Sequence, residues 1–219
     1  VNVWGFDNKL PGTIYMYGQG NGGTFFNENQ EPTFTDGPIV EALTWGVDTY
    51  DQQGGYTAYE AVASTWQGDE QFARSQVAMT IYESWMLGII ARVTPDLDFT
   101  VLPMRQHGGS DPISTTGGPA WAIPQGAGDP EAAQVFIEFM NRDETWRIGA
   151  AAVRDARVSA GAVYIPSLSG KPSVDQLQID EFYEPIGEAF DQAVALFPEI
   201  LQTSQVRPCA NLQAGKESN

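Results

Sequence analysis

The 219-residue chain holds one cysteine, Cys209, and one histidine, His107. A lone cysteine cannot close an internal disulfide, and together the two leave no Cys/His cluster for zinc and no histidine-based triad. His107 stands in a polar loop with no partner nearby in sequence and reads as an exposed loop residue rather than a catalytic base. Basic residues are also few, 11 against 28 acidic, and the formal charge of −17 repels phosphate backbones and anionic lipid surfaces. Nucleic acid is therefore excluded as an expected partner, and neither a metal nor a cofactor is expected. No apolar run approaches the ~20 residues of a membrane span. No basic-then-apolar leader stands at Val1, so the chain reads as mature, trimmed or a fragment. The glycines Gly18, Gly20, Gly22 and Gly23 lack a phosphate-loop lysine, which removes a nucleotide-binding reading and leaves turn formation or close backbone approach to a ligand.

What is present is enough apolar residue, 42%, to bury a proper core in one large or two small domains. The most informative stretch runs from Phe72 to Met104. Val77, Met79 and Ile81 alternate with Ala78, Thr80 and Tyr82, the period of a strand. Ser84 is a good N-cap for a helix of about two turns from Trp85 to Arg92, and Thr94-Pro95 stops it. Phe99 to Leu102 reads as a further strand. Trp85, at the junction beside a helix N-terminus with free N–H groups, either packs in the core or grips a polar ligand.

Elsewhere Val1 to Phe6 reads as a strand or an entry segment, and Leu10-Pro11-Gly12 as a turn into Thr13 to Gly18, where Tyr15 and Tyr17 lie on one side if the run is extended. Asp36-Gly37-Pro38 starts a helix whose apolar face is Ile39, Val40, Leu43, Val47 and Tyr50, ended by Gly54-Gly55. Trp121 lies in a short strand between Pro119 and Pro124. Asp129 caps a helix opened by Pro130, with Ala132, Ala133, Phe136, Ile137 and Met140 as its stripe, and a second helix follows from Asp143. Val163 to Pro166 is extended. A last helix carries Ile186, Phe190, Val194 and Phe197 on one face, and the final residues from Ala210 look frayed.

This ordered series resembles the bacterial extracellular solute-binding proteins of the sugar-binding family 1 type, the maltose-binding-protein-like receptors of ABC importers. The pieces that carry the resemblance are Phe72 before Val77-Ala78-Met79, Ser84-Trp85, Val101-Leu102-Pro103, Gly117-Gly118, Ala122-Ile123-Pro124 and the helix from Ala132 to Met140. The chain departs from the pattern at Ser75-Gln76, where Gly-Lys is common, and at Glu83, where glycine is common.

The resemblance implies an α/β fold of the periplasmic-binding-protein type II class, here mainly the C-terminal lobe with a mixed sheet flanked by helices. Residues 1–118 would belong to that lobe. Residues 119–156 would supply a hinge strand and a helix pair that packs on an N-terminal lobe this chain lacks, exposing the Phe136 and Ile137 stripe. Residues 157–219 would return to the C-terminal lobe.

It further implies a non-enzymatic receptor that binds a carbohydrate in an interlobe cleft and delivers it to ABC permease subunits. Such a receptor is periplasmic or extracellular, with lipid anchoring through a missing N-terminus as one form, and monomeric at full length. A sugar offers an apolar C–H face and a fringe of hydroxyls, so the site needs aromatic platforms and short polar groups. Under the resemblance Trp85 becomes the stacking platform, joined by Tyr15 or Tyr17, by Glu83 as a hydroxyl acceptor, and by Gly117, Gly118 and Trp121 at the hinge. Arg154 and Arg157 read as surface ion-pair residues. One wall of a cleft alone is expected to bind sugar feebly. The rival classes are a glycoside hydrolase, for which Glu83 with Asp111 or Asp155 is the pair to test, and a lectin-like module.

Overall fold

A computed structural model describes residues 3–110, 113–114, 120–169 and 171–198. Among them are two strands and eight α-helices: β1 (Trp4–Asp7), α1 (Ile14–Gly20), α2 (Gly37–Asp51), α3 (Tyr56–Ala63), β2 (Val77–Thr80), α4 (Met86–Val93), α5 (Pro130–Met140), α6 (Asp143–Ser159), α7 (Pro172–Phe182) and α8 (Glu188–Ala195). A 3-10 turn, Gly68–Glu70, precedes β2. The expected mixed sheet is, among the described residues, a two-stranded parallel one, with Trp4 opposite Val77, Phe6 opposite Met79 and Asp7 opposite Thr80. Trp4 and Val77 are buried, whereas Met79 is exposed.

Three apolar clusters hold these elements. The largest joins Met86, Leu87 and Ile90 of α4 to Phe190, Ala193 and Val194 of α8, with Ala73, Phe99 and Phe197. The second gathers Trp4, Tyr50 and Val77 against Leu10, Ala58, Tyr59, Val62 and Trp66, and so packs α2 and α3 on the sheet. The third, Ala150, Tyr164 and Phe182, joins α6 to α7. That joint is tied at its surface by Arg147 to Glu181 at 2.6 Å and by Lys171 to Asp143.

Local chemistry explains several boundaries. The Asp129 carboxylate accepts from Ala132 N at 2.8 Å, the N-cap bond expected of it, and Pro130 opens α5. Gly54 and Gly55 both take positive φ after α2, and Gly55 N donates to Tyr50 O at 2.9 Å. Gly46 of α2 is needed for a different reason: a Cβ there would lie 2.2 Å from Leu10 Cδ1. The loop after β1 thus presses on the helix backbone, and Asn8 Nδ2 donates to Gly46 O at 2.8 Å.

Other expectations fail. The condition for Tyr15 and Tyr17 to share a side, an extended run, is not met: both lie in helix α1, Tyr17 buried and Tyr15 exposed. The same helix contains Gly18 and Gly20, which leaves only the later glycines as turn-formers. The buried face of α2 is Ile39, Ala42, Gly46 and Tyr50, while Val40, Leu43 and Val47 are exposed. Ile39 and Tyr50 of the expected stripe are on that face, with Ala42 and Gly46 between them allowing close approach, whereas Val40, Leu43 and Val47 point away. Residues 99–102 and 121–123 form no strand, since neither run joins a ladder, although Phe99 enters the core. Helix α7 was not anticipated. No residue of α5 is buried, and Val135, Phe136 and Phe139 are exposed.

Candidate functional site

In a parallel sheet the strands' C-terminal ends face one way, and ligands of open α/β sheets bind beyond those ends. β1 and β2 both run out at this edge, into residues 8–10 and 81–85. Thr80 Oγ1 donates to Asp7 O at 3.2 Å and keeps the two exits together.

The first exit is built on Asp7, whose side chain is fully enclosed. Its Oδ1 accepts from Lys9 N at 3.1 Å and from the Tyr50 hydroxyl of α2 at 3.0 Å. Lys9 Nζ stands 3.1 Å from Oδ2, an ion-pair contact rather than a directional hydrogen bond. Asn8 supports the turn: its carbonyl accepts from Thr13 Oγ1 at 2.7 Å and from the Tyr17 hydroxyl at 3.0 Å. Burial pushes the Tyr17 and Tyr50 hydroxyls well above the usual tyrosine range, with the Asp7 charge adding to both; burial also takes Tyr59 up to about 12. These tyrosines are neutral hydrogen-bonding groups around one carboxylate.

The second exit carries Tyr82, Glu83 and Trp85. Lys9 Nζ reaches across to Tyr82, 3.1 Å from its hydroxyl and 4.4 Å from its ring centroid. That hydroxyl donates to Asp69 Oδ1 and accepts from Gln71 Nε2 at 3.3 Å. The Tyr82 ring meets Trp85 edge-on, centroids 5.3 Å apart and planes at 87°. Trp85 is 48% exposed, so it is not a core residue. The Glu83 side chain is exposed and has no ion pair among the described residues.

The expectation of free N–H groups at this helix start fails. Met86, Leu87 and Gly88 donate to the carbonyls of Glu83, Ser84 and Trp85 at 3.0, 3.2 and 3.0 Å, a tight first turn that consumes those donors.

Of the residues singled out in sequence, the structure places Glu83 and Trp85 together on one turn. Tyr17 lies beneath the neighbouring exit, its hydroxyl spent on Asn8, and Tyr15 is exposed on α1. Trp121 is exposed and packs edge-on against Phe136 of α5 at 5.3 Å, with no ring contact to Trp85 among the described residues. Gly117, Gly118 and Asp111 lie outside the described residues. Arg154 pairs with Asp155 at 2.7 Å and lies over the Phe182 ring, a surface ion pair as expected. Asp7, Lys9, Asp69, Gln71 and Tyr82 went unnoticed in sequence as site residues. Only Tyr82 carried a signal, as the last alternating residue before the turn.

The sequence model of the bacterial extracellular solute-binding protein family matches residues 4–145, roughly two thirds of the chain. The chain belongs to that family. Both strand exits, with Lys9, Tyr82 and Trp85, fall inside the match, whereas α7 and α8 lie beyond it. No curated protein and no solved structure matches the chain. Membership makes this solute-binding protein a receptor for a small molecule outside the cytoplasm, in a family of binding proteins rather than enzymes.

Proposed function

We propose that this solute-binding protein takes a carbohydrate, stacks it on Trp85 and presents it to the permease of an ABC importer. The supporting observation is a large aromatic, half exposed, at the C-terminal edge of a parallel sheet, where it meets the Tyr82 ring edge-on. Glu83 beside it is a free acceptor for sugar hydroxyls. Tyr15 and Trp121 are the further aromatic contacts, Gly117 and Gly118 the backbone ones. Tyr17 acts through the support of the β1 exit. Three carboxylates stand at or beside the strand exits, Asp7 paired with Lys9, Asp69 on the Tyr82 hydroxyl and the exposed Glu83, a negative balance that favours a neutral polyhydroxyl solute over an anionic one. The hydrolase reading has no comparable support, since the Asp155 carboxylate is held by Arg154 on α6.

Saturation-transfer NMR, which detects weak binding, tests this with glucose, cellobiose, maltotriose and glucuronate. Transfer is expected to the C–H protons of one face of a neutral sugar, falling at least about tenfold in affinity with Trp85→Ala. Undiminished transfer in that variant, or a preference for glucuronate, refutes the reading.

A further inference from the structure

Lys9 has a backbone conformation that a lysine rarely adopts, φ +60°. A left-handed residue of this kind persists only where its surroundings over-determine it, and such positions gather at ligand sites. Here the surroundings are explicit. The Asp7 carboxylate takes both the Lys9 amide and, through its other oxygen, the Lys9 ammonium. The left-handed turn is what lets one residue fold back on Asp7 and still deliver its ammonium to Tyr82 on the neighbouring exit, 73 positions along the chain.

The Tyr82 hydroxyl has one proton to give and two lone pairs to fill. The proton goes to Asp69, and the lone pairs take Lys9 Nζ and Gln71 Nε2. All three valences are met, by groups from two separate segments, the turn after β1 and the 3-10 turn that ends at Gln71. The ring therefore has its polar end pinned, its face under the Lys9 ammonium, and its body edge-on to Trp85. Burial and the Asp69 bond push the Tyr82 hydroxyl well above the usual tyrosine range, so it stays a neutral donor. Trp85, by contrast, is half exposed and has no hydrogen bond of its own indole among the described residues. The Tyr82 ring is the aromatic contact it makes among the described residues.

Resting on the carbohydrate reading, we infer that Tyr82 is a positioning residue: its hydroxyl, saturated by Lys9, Asp69 and Gln71, holds the Trp85 indole in the orientation that receives the sugar face. The gain is preorganisation. A platform already ordered loses less freedom when ligand arrives, and the ordering of one such side chain changes affinity by roughly threefold to tenfold.

The test uses the full chain labelled with 5-fluorotryptophan, with the Trp85 and Trp121 fluorine resonances assigned by Trp85→Phe and Trp121→Phe. Tyr82→Phe keeps the ring and removes all three ties. It is expected to shift and broaden the Trp85 resonance, leave that of Trp121 unchanged, and weaken maltotriose binding, followed by the same resonance, by roughly threefold to tenfold. Asp69→Ala should move the Trp85 resonance the same way, and Asp69→Asn, which keeps an acceptor for the hydroxyl, should restore it. Asp69 is exposed, so this pair decides the matter even if Tyr82→Phe fails to fold. A Trp85 resonance identical in the unsubstituted, Tyr82→Phe and Asp69→Ala proteins overturns the inference. Failure of the unsubstituted chain to bind maltotriose, glucose or cellobiose would count against the carbohydrate reading alone, because the fluorine spectra decide the positioning role without ligand.

Discussion

Removing either partner of the Asp7–Lys9 pair breaks the same contact, yet the two removals should differ severalfold in cost. At 3.1 Å the two charges attract by roughly 5 kcal/mol at an effective dielectric of about 20, before desolvation is charged against them. Asp7 is fully enclosed, whereas Lys9 keeps 22% of its side chain in water. Lys9→Met strands a buried carboxylate with no counter-ion, a defect that typically costs about 3–5 kcal/mol. Met takes the same left-handed strain as Lys, so the backbone adds nothing to the difference. Asp7→Asn is milder. An amide oxygen still accepts from Lys9 N and the Tyr50 hydroxyl, the carboxylate's desolvation penalty disappears, and the lysine swings outward. What is lost is the charge assistance of two hydrogen bonds, about 1–2 kcal/mol in all. The double variant should lie within about 1 kcal/mol of Asp7→Asn, because the lysine has nothing left to neutralise. Urea unfolding at pH 7 followed by circular dichroism measures all three, with an unchanged m-value showing that only stability moved. If Asp7→Asn proves as costly as Lys9→Met, or the two costs simply add, the pair is not organised around a buried carboxylate.

Two further outcomes follow from the packing. Phe190→Ala should cost about 3–5 kcal/mol in the same unfolding assay, since its ring is enclosed between α4 and α8 and meets Phe99 edge-on at 5.1 Å; a loss below about 1 kcal/mol would mean this cluster is not a core. Stability should also fall as pH rises. Tyr50 and Tyr59 hold their protons in the fold, Tyr59 to about 12, while an unfolded tyrosine ionises near 10. Their contribution is complete below about pH 10 and is lost as pH climbs through the folded values, by at most about 1.4 kcal/mol per pH unit for each tyrosine. Urea midpoints from pH 8 to 11 should decline less steeply in Tyr59→Phe; an identical slope refutes the assignment.

The elements legible in sequence are those whose ends carry their own chemistry. Asp129-Pro130 specified the start of α5, and Gly54-Gly55 the end of α2, because a cap bond and a left-handed exit are local events. The failures lie where a short apolar run has no local arbiter. Ile14-Tyr15-Met16-Tyr17 fits a strand or a helix equally, and what decides for α1 is Asn8, whose carbonyl anchors Thr13 and Tyr17 together. Residues 99–102 and 121–123 have strand composition, yet a strand exists only with a partner. Helix α7 escaped notice although Pro172 stands at its start, because Asp175 and Gln178 are buried on it beside Val174 and Phe182 and blur the apolar period. The expected stripe of α2 holds at Ile39 and Tyr50 and fails at Val40, Leu43 and Val47 for a related reason: periodicity marks large apolar side chains, whereas the close approach of the β1 exit selects the smallest, Gly46.

The site divides along the same line. Trp85 drew attention because a strand, a cap and an aromatic meet within a few residues. What makes it a platform rather than core is its exposure, and what gives it a fixed orientation is a chain of contacts from Asp7 through Lys9 to Tyr82. Those residues reach one another only because β1 and β2 lie parallel and side by side, a pairing of Trp4 with Val77 that no local pattern encodes. An isolated lysine in a chain of formal charge −17 looks like a solvated exception. Placed at the sheet's C-terminal edge, between an enclosed carboxylate and an aromatic ring, it becomes the element that couples the two strand exits. The consequence is directional: a change at the enclosed Asp7 should be felt at Trp85, whereas a change at the exposed Trp85 should leave Asp7 and the stability of the fold nearly untouched.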